Sequence, residues 1–252
     1  MHKPALLPFN YQYPLSAAIY KIIQSADADF ATFLHNTGYG SGHKSFKLFT
    51  FSDIKTPFIK SGDRMQLQSA QAELIVCFHV PQAAENFIKG LFLNQQLQIA
   101  DHKSKTTFQI SQVESLSMAY NNTLHKQVLQ PLSPLVVGKK NDRGHYDYRS
   151  PEDDDFEACL LHNWIEKFSA TGIDDDALQS LKQNITVNVR LFHHPPQSRL
   201  ITIKGGTDAE TKIRGYTKFR LEVSAPKEML ELALGAGLGL YNAQGMGCVE
   251  IV

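Results

Sequence analysis

Pro226-Lys227-Glu228-Met229-Leu230-Glu231-Leu232-Ala233-Leu234-Gly235-Ala236 runs directly into Gly237-Leu238-Gly239, then Leu240-Tyr241-Asn242-Ala243-Gln244, then Gly245-Met246-Gly247, and the chain closes on Cys248-Val249-Glu250-Ile251-Val252. The first segment has helical spacing and the last reads as a strand, so the glycines fill a loop between a helix and a final strand. Glycine lets a chain take positive φ and lets another backbone come close, at a cost in conformational entropy, so glycines clustered in this way need a reason. Phosphate binding is one reason, but the two familiar phosphate loops do not fit. A dinucleotide fingerprint needs a third glycine where Asn242 stands and a strand before the loop, and a Walker loop needs Gly-Lys-Ser/Thr, which the sequence lacks. The plain alternative is a glycine-rich helix cap followed by a tight turn.

Working outward, the chain alternates helices and strands in both halves. Residues 14–26 open with proline and carry apolar side chains at helical spacing, and a shorter helix follows over 27–35. The turn-rich stretch 36–42 leads into strand patterns at 46–51, 64–69 and 73–80, a helix over 81–94, and one or two strands within 97–115. In the second half, 138–150 is polar and turn-prone. Ser150-Pro151-Glu152-Asp153 then predicts a helix start, with serine at the cap, proline at the first position and acids in the first turn, running to about residue 168. Strands are expected at 184–192, 200–204 and 215–223, before the helix from Pro226 and the terminal strand. This order predicts an α+β chain of two tandem ferredoxin-like βαββαβ domains, residues 1–125 and 126–252, with the junction between about 120 and 135.

Lys plus Arg and Asp plus Glu number 25 each, so the net charge does not advertise a polyanion partner, but its distribution is uneven. Arg199, Lys204, Lys212, Arg214, Lys218 and Arg220 face only Asp208 and Glu210 in the same stretch, whereas Glu152 to Glu157 holds five acids and no base. One basic face on a neutral molecule follows. Cys77, Cys159 and Cys248 have no metal spacing and sit in apolar patterns, which predicts buried, reduced thiols and a cytoplasmic location. No secretory signal and no apolar run long enough to span a bilayer is present, so no membrane partner is expected. His193-His194 invites a metal reading, but neighbours on a strand point to opposite faces, so no metal and no cofactor is expected.

Several segments in order then carry a family resemblance. Leu7-Pro8-Phe9-Asn10-Tyr11-Gln12-Tyr13-Pro14-Leu15-Ser16 with Ile19-Tyr20, Phe33-Leu34-His35, Lys47-Leu48-Phe49-Thr50-Phe51-Ser52, Ser133-Pro134-Leu135-Val136-Val137, Gly215-Tyr216-Thr217-Lys218-Phe219 and the glycine loop together resemble the CRISPR-associated endoribonucleases of the RAMP superfamily that cut repeat RNA into guide RNAs. The resemblance spans nearly the whole chain and implies tandem ferredoxin-like domains. It also implies metal-independent cleavage by the ribose 2′-OH, leaving 2′,3′-cyclic phosphate and 5′-OH ends. Implied partners are CRISPR repeat RNA and a CRISPR effector complex, for a monomer or homodimer. A non-catalytic RNA-binding subunit of such a complex is the alternative. One departure is that only six residues precede Leu7, so either the first strand is shortened or the start differs from that of relatives.

The resemblance places the catalytic set at His35 as general acid or base, Lys47 as the cation that stabilises charge, and Tyr20 as the group orienting the 2′-OH or phosphate, with His43 as an alternate to His35. Read without it, His35 suits the dipole at its helix end, Tyr20 suits helix packing, and Lys47 suits a solvated strand position. Gly237, Gly239, Gly245 and Gly247, as a nest of amides, and Lys204, Lys212, Arg214, Lys218 and Arg220, as a basic hairpin, are expected to bind the RNA backbone.

Overall fold

The computed structural model describes residues 5–40, 44–116, 126–182, 185–205 and 207–252. The elements in chain order are β1 (Leu6–Pro8), α1 (Gln12–Ala26), α2 (Ala28–Asn36), β2 (Phe49–Phe51), β3 (Phe58–Ser61), β4 (Arg64–Leu67), β5 (Val76–Phe78), α3 (Pro81–Asn94), β6 (Gln96–Ala100) and β7 (Lys105–Gln109) in the first half. The second half comprises β8 (Lys126–Pro131), β9 (Val137–Lys140), β10 (Tyr146–Arg149), α4 (Phe156–Ser169), α5 (Asp175–Lys182), β11 (Thr186–Leu191), β12 (Gln197–Ile203), β13 (Thr211–Thr217), β14 (Phe219–Ser224), α6 (Lys227–Ala236) and β15 (Val249–Ile251).

The second half is a ferredoxin-like domain with insertions. Its four-stranded antiparallel sheet runs β11-β14-β8-β15. Counting β8, β11, β14 and β15 as first to fourth gives the spatial order two-three-one-four, with α4 and α6 as the two crossover helices. Alternation along β14 buries Phe219, Leu221 and Val223, and these meet Phe156, Leu160 and Trp164 of α4 and Met229 and Ala233 of α6. Trp164 is fully buried and spends its indole N–H on the Met229 carbonyl at 3.1 Å. Two hairpins, β9-β10 and β12-β13, stand outside that sheet.

The first half keeps the same order, β1-α1-β2-β5-α3-β6, but hairpins are spliced in and the ladder is divided among β1-β4-β3, β2-β5 and β6-β7. Its core joins Leu15, Ile19, Ile22 and Ile23 of α1 to Phe87 and Leu91 of α3 and to Phe49 and Phe51. α1 and α3 cross at Gly90, where a Cβ would come 2.8 Å from the Ile22 carbonyl carbon. The chain is thus an α+β protein of two tandem ferredoxin-like units. The expected boundary at 125/126 borders residues outside the described set. β1 is three residues long.

Several expected elements are corrected. The predicted strand over 46–51 begins only at Phe49, because Leu48 has φ 51° and Phe46 instead bridges Tyr39. Ser150 does not cap a helix. Its amide donates to Asp153 Oδ2 at 2.8 Å, Arg149 pairs with Asp155, and this turn delays α4 to Phe156. Residues 138–150 form a hairpin rather than an open turn, and the single strand expected at 215–223 is broken at Lys218, whose φ is 64°. β3, β8 and α5 carry too few apolar residues in regular spacing to have been read.

Candidate functional site

Tyr20 of α1 meets His35 of α2, and the Lys47 side chain lies against Gly38, three residues beyond His35. α1 presents Tyr20 half-buried, with its ring edge-on to Phe49 at 5.4 Å and to His35 at 5.1 Å. His35 stands exposed in the last turn of α2, where Nδ1 lies 2.9 Å from Asn36 Oδ1. With that carboxamide oxygen accepting, Nδ1 carries the hydrogen and Nε2 keeps its lone pair for a proton transfer. Two residues past α2, Gly38 has φ 68° and donates its amide to the Phe33 carbonyl at 2.8 Å. A Cβ there would lie 2.9 Å from Lys47 Cδ and 3.0 Å from Nζ, so the missing side chain makes the space that holds the lysine beside the histidine's helix.

Burial tunes two of the three groups. It pushes the Tyr20 hydroxyl well above its ordinary value, so the phenol stays a proton donor at neutral pH. It also lowers the Lys47 ammonium below the usual lysine range. Lys47 is not a strand residue, since it precedes the Leu48 kink. His43 lies outside the described residues. Its neighbour Lys44 pairs with Glu166 on α4, which ties the α2-β2 loop to the second half.

The glycine loop has a different role from the one expected. Gly237, Gly239, Gly245 and Gly247 are buried, and the amides of Gly237, Gly245 and Gly247 donate to the carbonyls of Ala233, Asn242 and Pro134. Those three amides are therefore not a phosphate nest. The loop is instead the joint between the halves. Ser16 Oγ donates to the Ala243 carbonyl at 2.6 Å and Thr50 Oγ1 to the Met246 carbonyl at 3.0 Å, both from the first half. Gly245 has φ 82° and lies so close to Phe51 that a Cβ would stand 2.6 Å from the ring Cζ. From the second half, the fully buried Lys167 of α4 donates to the carbonyls of Gly237 at 2.6 Å and Gly239 at 3.3 Å and to Asn242 Oδ1. Asn242 Nδ2 closes the loop by donating to the Leu238 and Met246 carbonyls.

Lys167 was not foreseen, although its signal is present: it continues the apolar stripe of Phe156, Leu160 and Trp164 at helical spacing. Arg199 was not foreseen as a bridge either; it bonds Asp53 Oδ1 at 3.0 Å and the Phe9 carbonyl at 2.6 Å across the two halves, with Tyr11 Oη also donating to Asp53. Cys248 is buried as expected, in hydrogen-bonding contact with Cys77, and all three cysteines are free.

The five expected backbone-binding cations do not share one hairpin. Lys212 and Arg214 alternate with buried Ile213 and Gly215 on β13, and Lys204 follows β12, so these three belong to the β12-β13 hairpin. Lys218 is the hinge to β14, and Arg220 lies on the open face of the four-stranded sheet over the Phe192 ring. All five are exposed. Among the described residues, no three His, Cys, Asp or Glu side chains are grouped to hold a metal ion, and no helix is long and apolar enough to cross a membrane.

The sequence model described as CRISPR associated protein Cas6, C-terminal, matches residues 118–251, and that described as CRISPR-associated protein Cas6, N-terminal, matches residues 6–114. The chain is 32% identical over 167 residues to a protein of Methanocaldococcus jannaschii named CRISPR-associated endoribonuclease Cas6 1. That stretch is 66% of this chain and 61% of the relative, less than two thirds of the latter's length. It is 22% identical to the CRISPR-associated endoribonuclease Cas6 of Pyrococcus furiosus over 97% of this chain and 83% of the relative. A solved structure described as an RAMP protein binding different RNA substrates superposes with a TM-score of 0.78 at 17% identity, covering 100% of this chain and 95% of that one. The chain belongs to the Cas6 family.

Proposed function

We propose that this protein is an endoribonuclease that cleaves CRISPR repeat RNA without a metal ion, using the 2′-OH beside the scissile phosphate as its nucleophile. The observation that carries the proposal, within a family whose relatives are named endoribonucleases, is the ring contact of half-buried Tyr20 with exposed His35, with the Lys47 side chain lying against Gly38 just past the histidine's helix. The 2′ oxygen attacks phosphorus in line, the P–O5′ bond breaks, and the products are a 2′,3′-cyclic phosphate and a 5′-OH. An internal nucleophile already next to phosphorus needs no metal-generated hydroxide. It needs a base for the 2′ proton, an acid for the 5′ oxygen, and donors for the charge on the non-bridging oxygens.

His35 Nε2 takes or gives the proton, the Lys47 ammonium faces the phosphoryl oxygens, and the Tyr20 hydroxyl donates to the 2′ oxygen or the phosphate. The exposed cations Lys204, Lys212, Arg214, Lys218 and Arg220 bind the RNA backbone. The glycine loop acts indirectly in this reading, by setting how the two halves meet.

The test incubates end-labelled repeat RNA with the protein in EDTA, beside the same RNA carrying a 2′-deoxynucleotide before the cut. The first is expected to be cut and the second to remain intact. His35→Ala is expected to slow cutting by about two to four orders of magnitude while binding is retained. Binding without cutting by the wild type would make the chain an RNA-binding subunit instead, and a requirement for divalent metal would overturn the mechanism.

A further inference from the structure

β9 and β10 form a hairpin with one aromatic face. In its register Lys140 stands opposite Tyr146 and Gly138 opposite Tyr148, so these four share a face, while Lys139 and Asp147 point the other way. The Tyr146 and Tyr148 rings stack at 6.4 Å with an interplanar angle of 19°. Gly138 makes this possible: a Cβ there would lie 3.3 Å from Tyr148 Cδ1 and 3.4 Å from Tyr146 Cδ1, so both rings lie over bare backbone. Tyr241, at the outer bend of the glycine loop, completes the cluster with its ring edge-on to Tyr146 at 6.2 Å and its hydroxyl 3.3 Å from that of Tyr148. All three tyrosines are half-buried, and Lys140 Nζ lies 5.7 Å from the Tyr146 ring centroid.

Core packing alone does not explain this cluster. Tyr148 and Tyr241 rest on the small core of Val136, Ile201, Ile203, Ile213 and Met246, but Tyr146 lies beyond it. β9, the partner strand of β10, packs against α4, the helix that carries Glu166. Glu166 already pairs with Lys44 and lies 3.3 Å from His162, so its charge is shared. The same Glu166 anchors the α2-β2 loop that leads to Lys47. The hairpin and the loop leading to the proposed cleavage site thus both pack on α4.

We propose that Tyr146, Tyr148 and Tyr241 form a base-stacking platform for an unpaired segment of the RNA, with Lys140 contacting its phosphate. This deepens the proposed function and rests on that reading for the identity of the RNA. Aromatic rings spaced two apart on a strand offer a stacking surface to any base, and an adjacent cation tracks the backbone. Such a platform is indifferent to sequence.

The test uses a short fluorescein-labelled oligouridine, followed by anisotropy, and the same oligomer with an internal 2-aminopurine. Tyr146→Phe keeps a ring and Tyr146→Leu keeps only apolar bulk, so both preserve packing. Tyr146→Phe is expected to bind within about twofold of wild type and to quench 2-aminopurine, whereas Tyr146→Leu is expected to bind roughly tenfold to a hundredfold more weakly without quenching. Lys140→Ala is expected to lower the slope of log affinity against log salt by about one, and Tyr146→Leu to leave it unchanged. Equal affinity of the Phe and Leu variants, or no oligouridine binding by wild type, overturns the platform. Oligouridine binding with this pattern but no cutting of repeat RNA overturns the nuclease reading and leaves the platform standing.

Discussion

Replacing Lys167 with methionine removes a charge that the fold buries completely and keeps the length of the side chain. The wild-type ammonium donates to the Gly237 and Gly239 carbonyls and to Asn242 Oδ1. Burial lowers it from the usual 10.5 to about 7. Three acceptors around one nitrogen oppose that fall, because a neutral amine has only two hydrogens to give and would turn its lone pair on the third. The variant regains the cost of burying a charge and loses three bonds, two of them to the carbonyls of buried glycines and one to partly buried Asn242. At about 1–3 kcal/mol for each orphaned acceptor the loss wins, and a net destabilisation on the order of 3 kcal/mol is expected. For a chain of this size that lowers the thermal midpoint by about 6–12 °C, read by circular dichroism at pH 6, where the ammonium is charged. The pH dependence is a second readout. The folded value lies below the unfolded one, so the unfolded chain holds the extra proton between them and stability rises as pH climbs from about 7 toward 10.5. That rise is bounded near 5 kcal/mol and is expected to vanish in the methionine variant. A variant melting with wild type, or one that keeps the wild-type slope above pH 7, would refute the assignment of Lys167 as the cation holding the loop.

Gly245→Ala puts a methyl against the Phe51 ring at a backbone φ of 82°, and strain and overpacking together are expected to cost about 2–4 kcal/mol, measured by urea unfolding. A double-mutant cycle of Arg199→Ala with Asp53→Asn is expected to give a coupling of about 1 kcal/mol, since both side chains are partly exposed, and to shrink in molar salt. Tyr20→Phe keeps the ring contacts with His35 and Phe49 and is expected to leave the thermal midpoint in place, while cleavage of repeat RNA falls about tenfold to a thousandfold with the lost donor. Unchanged cleavage would remove Tyr20 from the mechanism.

Elements whose apolar residues recur at one clean period were legible in the sequence. α1, α2, α3 and α6 lie within two residues of their expected starts, because Pro14, Asp27 and Pro81 mark entry and the apolar stripes are continuous. β9 and β10 were hidden because the lysines of β9 and the tyrosines of β10 mask the alternation, although Tyr148 packs against a small core. β13 and β14 read as one strand because nothing in Tyr216-Thr217-Lys218-Phe219 signals positive φ at a lysine. The glycine loop was legible as a place of close backbone approach but not as to what approaches. Val136, Phe51 and Leu238 are remote from it in sequence or hidden within it, so only the fold shows that protein, not phosphate, fills the space. His35, Tyr20 and Lys47 were singled out through a resemblance, not through spacing. Lys167 and Arg199 need partners that sequence spacing cannot supply.

The three residues of β2 connect the joint to the proposed site. Phe49 packs its ring against Tyr20, Thr50 bonds the Met246 carbonyl, and Phe51 lies on Gly245. Because strand side chains alternate, Thr50 faces the loop while Phe49 and Phe51 face the first core, yet Gly245 reaches around to Phe51. Any shift of the loop is therefore delivered to the strand that supports Tyr20, and through Tyr20 to the edge of the His35 ring. Burying a lysine to hold a loop costs more than an apolar contact would, so the arrangement makes physical sense if loop position matters to the reacting groups as well as to stability. Gly245→Ala separates these effects when assayed below its melting range: kcat on repeat RNA is expected to fall while affinity for the RNA holds. A loss in affinity with unchanged kcat would mean that the loop acts on the binding surface and that β2 transmits nothing to Tyr20.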